Sequence, residues 1–330
     1  MTLRYIPMLK TKAGEITSLD KLQAATKSRI YPVLHLTQTL TTSYAQQLAA
    51  AWTNRPLAVD GNFSFNENGA VSDFENLINV LRSRNVDVRP SVSIGSDPIL
   101  ITAALAQTNS SGIVLKANLD EINRAAPFCI SNQIATNSTD LILDMGHVAG
   151  MPIPLLAPIV AAQLNQAVGN HNPFRSITLA AAAAPKDFGE LPRGRSVVPR
   201  LDWQLWEAVS KSVTLDLNYG DYCTGHPDLT EPPGVAMARA TVSARYSDRS
   251  SWIVIKGHPT TGQSGLPMDQ QYRAHAGTLL QEPTFANLPG CWGDQQIVEI
   301  VNNQRRPGNR RTWTEIAVNR HIEVVAAQLP

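Results

Sequence analysis

The sequence predicts a TIM-like (β/α)8 barrel followed by a C-terminal β-hairpin and helix extension. Eight short apolar segments rich in strand-forming residues follow one another at an average spacing of about 30 residues, which is the length of a βα unit. Connecting segments carry apolar side chains at helical spacing, as at Phe74, Leu77 and Leu81, so that one helix face can cover a sheet. A flavodoxin-like sheet with extra strands is the alternative that the same pattern allows.

The predicted strands are the apolar segments themselves. In chain order they are Tyr5–Lys10, Tyr31–Leu36, Pro56–Asp60, Val88–Ile94, Gly112–Lys116, Asp140–Asp144, Ser176–Ala182 and Val213–Leu217. The helices predicted between them are Leu19–Lys27, Ser43–Trp52, Phe74–Arg84, Pro98–Gln107, Leu155–Val168 and Trp203–Ser210, with a weaker fifth helix at Leu119–Arg124.

After the eighth strand the pattern changes from βα units to a hairpin. Two strand-like segments, Ala238–Tyr246 and Ser251–Ile255, flank the polar turn 247–250. A helix is predicted over Asp269–Leu280, and a last apolar stretch covers Ile322–Ala326. We therefore expect a barrel over residues 1–226 and an extension over residues 227–330 that packs on the barrel as part of one structural unit.

Composition excludes several classes of protein. The chain has 330 residues, and Lys+Arg 28 against Asp+Glu 27 leaves a net charge of +1, which disfavours a dedicated duplex-binding protein. A hydrophobic content of 43% excludes a disordered chain. The cysteines Cys129, Cys223 and Cys291 are widely separated, which indicates neither a disulfide framework nor a zinc knuckle. With no export signal or apolar stretch long enough to span a bilayer, we expect a reduced cytoplasmic protein.

Charged residues at the predicted strand ends indicate a binding site. In a (β/α)8 barrel the C-terminal strand ends and the loops that follow them converge on the site. We predict that Asp60, Lys116 and Asp144 are catalytic and that further residues bind ligand: Lys10, Lys12, Glu15, His35, Arg200, Asp221 and Lys256. Such a ring suits a phosphorylated or zwitterionic small molecule. Lys10, Lys116 and Arg200 would bind the anion, and a carboxylate near Lys116 could serve as general base.

Other interpretations of these residues stay open. The ring could be a buried ion-pair network that binds nothing. Asp60, Asp144 and Asp221 could hold a magnesium ion, although their spacing does not show that they converge. Cys223 with His226 could form a nucleophile and base, although an inert buried cysteine is commoner. The sequence has no zinc-site pattern, P-loop or GxSxG motif, and it identifies no cofactor.

Two features outside the ring also have alternative interpretations. Trp203 and Trp206 share one helix face, which is typical of core packing and less often of a base-stacking platform. The turn Arg305–Arg311 holds four arginines, which fits either a solvated loop or a patch for phosphates or an acidic partner.

Several motifs resemble those of the beta protein family of phages and prophages. The segment Pro7-Met-Leu-Lys-Thr-Lys-Ala-Gly-Glu15 is similar to the opening motif of that family, Pro-x-Leu-Lys-x-Lys-x-Gly-Glu. Further similar segments follow in the expected order: Pro199-Arg-Leu-Asp-Trp203-x-x-Trp206, Tyr219-Gly-Asp-Tyr222 with His226-Pro227, Trp252-Ile-Val-Ile-Lys-Gly257 and Cys291-Trp-Gly-Asp294. Together they span nearly the whole chain.

The resemblance implies an association with phages and prophages, but it implies no reaction. It suggests a role in phage–host conflict, either in anti-phage defence or in restraining a toxin-like partner encoded nearby. The protein would act as an interaction module or as a sensor of a small ligand. The alternative is a TIM-barrel enzyme acting on a nucleotide or other phosphorylated small molecule at the charged mouth. Nucleic-acid binding through the arginine turn ranks last, because basic residues are not in excess.

Overall fold

The protein folds around a closed barrel of eight parallel strands. The computed structural model describes residues 4–38, 42–169, 172–186, 188–230 and 241–330. The barrel strands are β1 (Tyr5–Lys10), β2 (Val33–His35), β3 (Pro56–Asp60), β4 (Asp87–Ser93), β5 (Ile113–Ala117), β6 (Thr139–His147), β7 (Ser176–Ala182) and β9 (Leu217–Asp221). Strand β9 pairs with both β7 and β1, which closes the barrel. The predicted (β/α)8 barrel is confirmed, and the open flavodoxin-like sheet is excluded.

Helices follow the barrel strands and cover their outer faces. They are α1 (Ala13–Asp20), α2 (Ala24–Arg29), α3 (Thr42–Trp52), α4 (Asn62–Asn68), α5 (Ser72–Arg82), α6 (Pro98–Ala106), α7 (Ala125–Ser131), α8 (Ile153–Val168) and α9 (Leu201–Ser210). Short 3-10 turns lie at Ile122–Arg124, Thr136–Ser138 and Phe188–Glu190.

The eighth barrel strand lies later in the chain than predicted. Val213 donates a backbone hydrogen bond to the Val209 carbonyl, so it belongs to the turn that ends α9. The strand begins at Leu217, because only Leu217–Asp221 aligns with β7 on one side and β1 on the other. Gly220 suits this position, since a Cβ there would lie 2.9 Å from the Ala180 Cβ. The barrel is therefore closed by a strand that contains a glycine at a crowded position rather than by the apolar segment before it.

The helix predicted over Leu19–Lys27 is two helices, α1 and α2. The Glu323 carboxylate contacts the N-terminus of α2 at this break. It accepts a hydrogen bond from the backbone N–H of Gln23 at 2.8 Å and a short one from the Thr26 hydroxyl. A carboxylate at a helix N-terminus satisfies donors that have no partner within the helix. The break depends on a residue about 300 positions away in sequence, so local periodicity does not show it.

A second, smaller unit packs beside the barrel. Its sheet has the order β10 (Thr241–Ser247), β11 (Ser251–Pro259), β8 (Gly194–Pro199), with antiparallel pairing throughout. The predicted hairpin is β10 and β11; positions 238–240 of its first segment lie outside the described residues. In the described part of the chain, three helices cover the sheet: α10 (Met268–Leu280), α11 (Trp292–Val301) and α12 (Arg310–Gln328). Strand β8 lies within the segment predicted as barrel, so that segment contributes a strand to the smaller unit.

The alternation of strand side chains divides the barrel wall into two faces. Inward-facing apolar residues such as Ile6, Val33 and Ile142 form a small cluster inside the barrel. Outward-facing residues such as Leu34 and Leu141 join the large core between the strands and the helices. Among the described ranges, no helix combines the length and the apolar character needed to cross a membrane.

Candidate functional site at the barrel mouth

Five polar side chains meet inside the C-terminal end of the barrel, and we call them the barrel-mouth cluster: His35, Asp60, Lys116, Asp144 and Tyr222. Each of the first four lies two positions after an inward-facing apolar residue of the same strand. Because side chains alternate along a strand, these four side chains also face into the barrel. Strand register aligns His35 directly with Asp60. The C-terminal end of a (β/α)8 barrel is where ligand sites occur.

Asp60 is the centre of this cluster and is fully buried. One carboxylate oxygen lies 3.0 Å from Lys116 Nζ and also accepts a hydrogen bond from the Ser91 hydroxyl at 2.9 Å. The other oxygen accepts two hydrogen bonds from Asn62 at 3.1 Å each. Burial alone would raise the pKa of Asp60, but the Lys116 cation and the neighbouring His35 hold it well below its ordinary value. Asp60 is therefore an ionised carboxylate.

Lys116 remains a cation although it is only 8% exposed. Burial would lower the pKa of the ammonium group, but the charges of Asp60 and then Asp144 raise it above its ordinary value. Since both members of the Asp60–Lys116 pair are stabilised in their charged forms, neither exchanges a proton readily near neutral pH. This geometry suits electrostatic binding better than general acid or base catalysis by these two residues.

His35 is the member of the cluster with unused hydrogen-bonding capacity. Its ring stacks on Tyr222 with centroids 5.8 Å apart, and Nδ1 lies 3.8 Å from an Asp60 oxygen. The side chain is 3% exposed, and Nε2 has no hydrogen-bond partner among the described residues. Burial and the Lys116 cation lower the pKa of His35, so the ring is neutral. A neutral ring offers one donor and one acceptor at the mouth.

Asp144 and Tyr222 complete the cluster on its more open side. The Tyr222 hydroxyl donates to Asp144 at 2.6 Å, and the other Asp144 oxygen accepts the Gly146 N–H at 3.0 Å. Burial and the Asp144 charge raise the pKa of Tyr222 well above its ordinary value, so it remains a donor. The sequence pattern did not assign Tyr222 to the site, although it belongs to the Tyr219-Gly-Asp-Tyr222 motif.

Two residues predicted for the mouth lie elsewhere, on the outer side of the barrel wall. Asp221 is the last residue of β9 and has the outward parity of Tyr219, whereas Tyr222 faces inward. Arg200 precedes α9, is fully buried, and lies 3.5 Å from an Asp221 oxygen. The three predicted magnesium carboxylates are therefore not brought together, because Asp221 is separated from Asp60 and Asp144 by the strand itself.

Asp221 belongs to a second buried network, which links the barrel to the smaller unit. His321 of α12 contacts Asp221 at 2.7 Å through Nε2 and the Ser247 hydroxyl at 2.8 Å through Nδ1. Tyr5 donates to the same carboxylate at 2.5 Å. Burial would raise the pKa of Asp221, but His321 and then Arg200 hold it well below its ordinary value. Ser247, His321 and Asp221 are each at most 1% exposed, so this buried network joins the barrel to the smaller unit rather than receiving a substrate.

The remaining predicted ligand residues are Lys10, Lys12, Glu15 and Lys256, and they lie in different parts of the structure. Lys10 ends β1 and approaches the Leu229 carbonyl at 3.5 Å. Lys12 immediately precedes α1 and Glu15 lies in its first turn; both are half-buried. Lys256 lies on β11 and donates to the carbonyls of Gly189 and Leu191, the latter at 2.7 Å, which places it in the smaller unit.

The geometry does not provide a cysteine nucleophile. Cys223 is 3% exposed, and its sulfur lies 3.4 Å from the Tyr5 hydroxyl. Burial and the Asp221 charge raise the pKa of the thiol well above its ordinary value. The ring of His226 instead faces His147, with centroids 4.4 Å apart. Asp221, Cys223 and His321 have ligand-type atoms within 4.8 Å, but both Asp221 oxygens already accept hydrogen bonds.

The tryptophan pair lies in the core, and two residues of the arginine turn make contacts that stabilise α12. Trp203 and Trp206 have centroids 4.9 Å apart, are at most 8% exposed and pack edge-on against Tyr219, as expected for core residues. In the turn before α12, Asn309 caps the helix and Arg311 pairs with Glu315 at 2.9 Å.

The closed barrel with a charged mouth and an adjoining antiparallel sheet defines a (β/α)8-barrel protein with an appended α+β unit. Residues 5–327 match the Beta protein family, and the chain belongs to that family. No curated protein matches the chain significantly.

Two solved structures that this chain resembles are remote in sequence. The tryptophan synthase A-subunit from Pyrococcus furiosus is 10% identical, with a TM-score of 0.40, over 68% of this chain and 90% of that chain. The enoyl reductase domain of MlnA from Bacillus amyloliquefaciens is 12% identical, with a TM-score of 0.38, over 98% of this chain and 81% of that chain. These similarities are too low to indicate a shared activity.

Proposed function

We propose that this Beta protein acts in phage–host conflict in the cytoplasm as a sensor of a small polar ligand, which binds at the barrel mouth. The observation that carries the proposal is the buried Nε2 of His35, which has no hydrogen-bond partner among the described residues. This histidine lies next to the ion pair of Asp60 and Lys116. A buried polar atom without a hydrogen bond costs about 1–3 kcal/mol, and a ligand group that pairs with it recovers that cost.

The charges at the mouth indicate the chemistry of the ligand. Lys10 and Lys116 contribute two cations, and Asp60 and Asp144 contribute two carboxylates, so the mouth is close to neutral overall. Since Lys116 is already paired with Asp60, it offers only part of its charge to a ligand. A zwitterion or a polar molecule with both donors and acceptors therefore fits better than a strongly anionic one.

Sensing is favoured over catalysis by the protonation states of the cluster. A general acid or base works best with a pKa near the operating pH, whereas the pKa values of Asp60 and Lys116 are shifted away from neutrality in opposite directions. The phage association rests on membership of the Beta protein family and on the motifs that resemble it. A partner encoded nearby would receive the signal.

Native mass spectrometry tests the proposal directly. The protein is purified from cells that express it with its genomic neighbours, and its native and denatured masses are compared. We expect a small-molecule mass that is released on denaturation. His35→Phe keeps an aromatic ring beside Tyr222 but removes Nε2, so it should lose this mass. The matched control is His275→Phe, which removes a buried histidine from α10, away from the mouth.

Each outcome either supports or overturns ligand sensing. A small-molecule mass that is present in the wild type and in His275→Phe, and absent in His35→Phe, supports ligand sensing at the mouth. A second protein without any small molecule overturns it in favour of a plain interaction module. Retention of the small molecule by His35→Phe also overturns it, because the ligand would then bind elsewhere.

A further inference from the structure

A basic cleft opens at the opposite end of the barrel from the mouth. It has a volume of about 480 Å3 and is lined by residues that precede strands β1, β2 and β3, so it lies at the N-terminal end of the barrel. In barrels of this class that end usually serves stability rather than ligand binding. A cleft of this volume is within the usual range for small-molecule sites, about 300–1,000 Å3.

Three cations line the cleft: Arg4, Lys27 and Arg55. None of the described lining residues is acidic. For a chain with a net charge of +1, three cations around one concavity are a strong local concentration of positive charge. The lining also includes the hydroxyl groups of Ser28 and Thr53, which are neutral hydrogen-bonding groups.

Hydrogen bonds anchor the three chain segments that carry these cations. Lys27 lies in the last turn of α2, and its Nζ donates to the Asp20 carbonyl at 2.8 Å. Arg55 follows Asn54, whose φ of 57° is the left-handed conformation that asparagine tolerates, and Arg55 Nη1 approaches the Thr53 carbonyl at 3.4 Å. The backbone N–H of Arg4 donates to Asn218 at 2.9 Å. The cations are therefore presented from three anchored segments.

Lys27 and Arg55 repel each other across the cleft. Burial lowers the pKa of Lys27, and the Arg55 and Lys21 cations lower it further, against the opposing effects of Asp20 and Glu323. Asp20 itself lies 2.8 Å from Lys21, which takes part of its charge. An anion in the cleft would relieve the repulsion between the two cations.

We propose that this cleft binds a small free anion with two linked phosphate groups. A single phosphate cannot balance three cations, whereas a diphosphate brings enough charge and several acceptor oxygens to contact all three. The described lining of the cleft has no aromatic side chain, so recognition is directed at the phosphates rather than at a nucleotide base. This site is independent of the ligand proposed at the mouth.

Isothermal titration calorimetry with inorganic pyrophosphate, and with inorganic phosphate for comparison, tests the proposal. We expect saturable binding of pyrophosphate that is at least about tenfold tighter than that of phosphate. The double variant Lys27→Gln/Arg55→Gln should weaken it by at least about tenfold. Lys211→Gln is the control for a lysine outside the cleft, because Lys211 is exposed at the C-terminal end of α9 and paired with Glu207. Circular dichroism checks that every variant is folded.

The outcomes distinguish the basic cleft from the barrel mouth and from a lysine outside the cleft. No saturable heat from the wild type up to about 10 mM pyrophosphate would overturn the proposal whatever the variants do. Equal affinities of the double variant and Lys211→Gln would overturn it as well, because the two cleft cations would then contribute no more to binding than one lysine outside the cleft. His35→Phe should bind pyrophosphate as the wild type does; a loss there would place the anion at the mouth instead.

Discussion

Replacing Lys116 with methionine should destabilise the protein strongly. The Lys116 side chain is 10% exposed and the Asp60 side chain is 0% exposed, and their charged atoms lie 3.0 Å apart. Methionine keeps most of the aliphatic stem but leaves the Asp60 carboxylate buried without its cation. Removing one partner of a buried pair typically costs about 3–5 kcal/mol, which is a large part of the roughly 5–15 kcal/mol stability of a domain.

Urea unfolding at pH 7, followed by circular dichroism and extrapolated to water, measures this cost. The control is the double variant Asp60→Asn/Lys116→Met, in which no unpaired buried charge remains at this pair. We expect the double variant to be clearly more stable than Lys116→Met alone, since a neutral amide costs less to bury than a carboxylate.

The pH dependence follows from the pKa shifts. In the wild type the folded pKa of Asp60 lies below its unfolded value, so its contribution to stability is present above about pH 4 and is lost as pH falls through the folded pKa. Lys116 has a raised folded pKa, so its contribution is present below about pH 10.4 and is lost as pH rises further.

In Lys116→Met, burial remains as the main influence on Asp60 and raises its pKa. The cost of the substitution should therefore shrink between pH 7 and pH 4, as the carboxyl takes up a proton. A cost below about 1 kcal/mol at pH 7, or one that does not change on acidification, would refute the conclusion that a charged Asp60 depends on Lys116.

Three further predictions concern other parts of the chain. Gly112→Ala should destabilise the protein by about 1–3 kcal/mol or more, because φ is +85° and the new Cβ would lie 1.9 Å from the Ser138 carbonyl oxygen. Gly69→Ala is the control: its φ is +66° but its Cβ would meet open space, so it should cost less in the same urea assay. Iodoacetamide should label none of the thiols in the native protein within the time that denatured protein is fully labelled; rapid native labelling would contradict the burial of Cys129, Cys223 and Cys291. Arg200→Met should lower stability by about 3–5 kcal/mol, because the buried Asp221 would lose its contact with the guanidinium. Arg195→Met, where the arginine side chain is 47% exposed, should lose much less; equal losses would show that burial of Arg200 is unimportant.

Much of the barrel is predictable because βα units are local. An apolar strand, a helix with one apolar face and a short connection recur within about 30 residues, so the pattern is visible without knowledge of distant contacts. The predictions for β1, β3 and β7 have the observed bounds. Strand β8 was missed because it is an exposed edge strand that lacks the apolar pattern; among the described strands it pairs with β11 alone.

The sequence alone determined that charged residues end the barrel strands, but the tertiary structure decided which of them share a site. Side chains alternate across a strand, so a change of one residue moves a group from the mouth to the outer wall. This is why Tyr222 contacts Asp144 while Asp221 contacts His321, which lies 100 residues later in the chain. Strand periodicity is encoded locally, whereas the face that a residue presents and the partner it meets depend on where the barrel closes and on how the C-terminal helix packs against it.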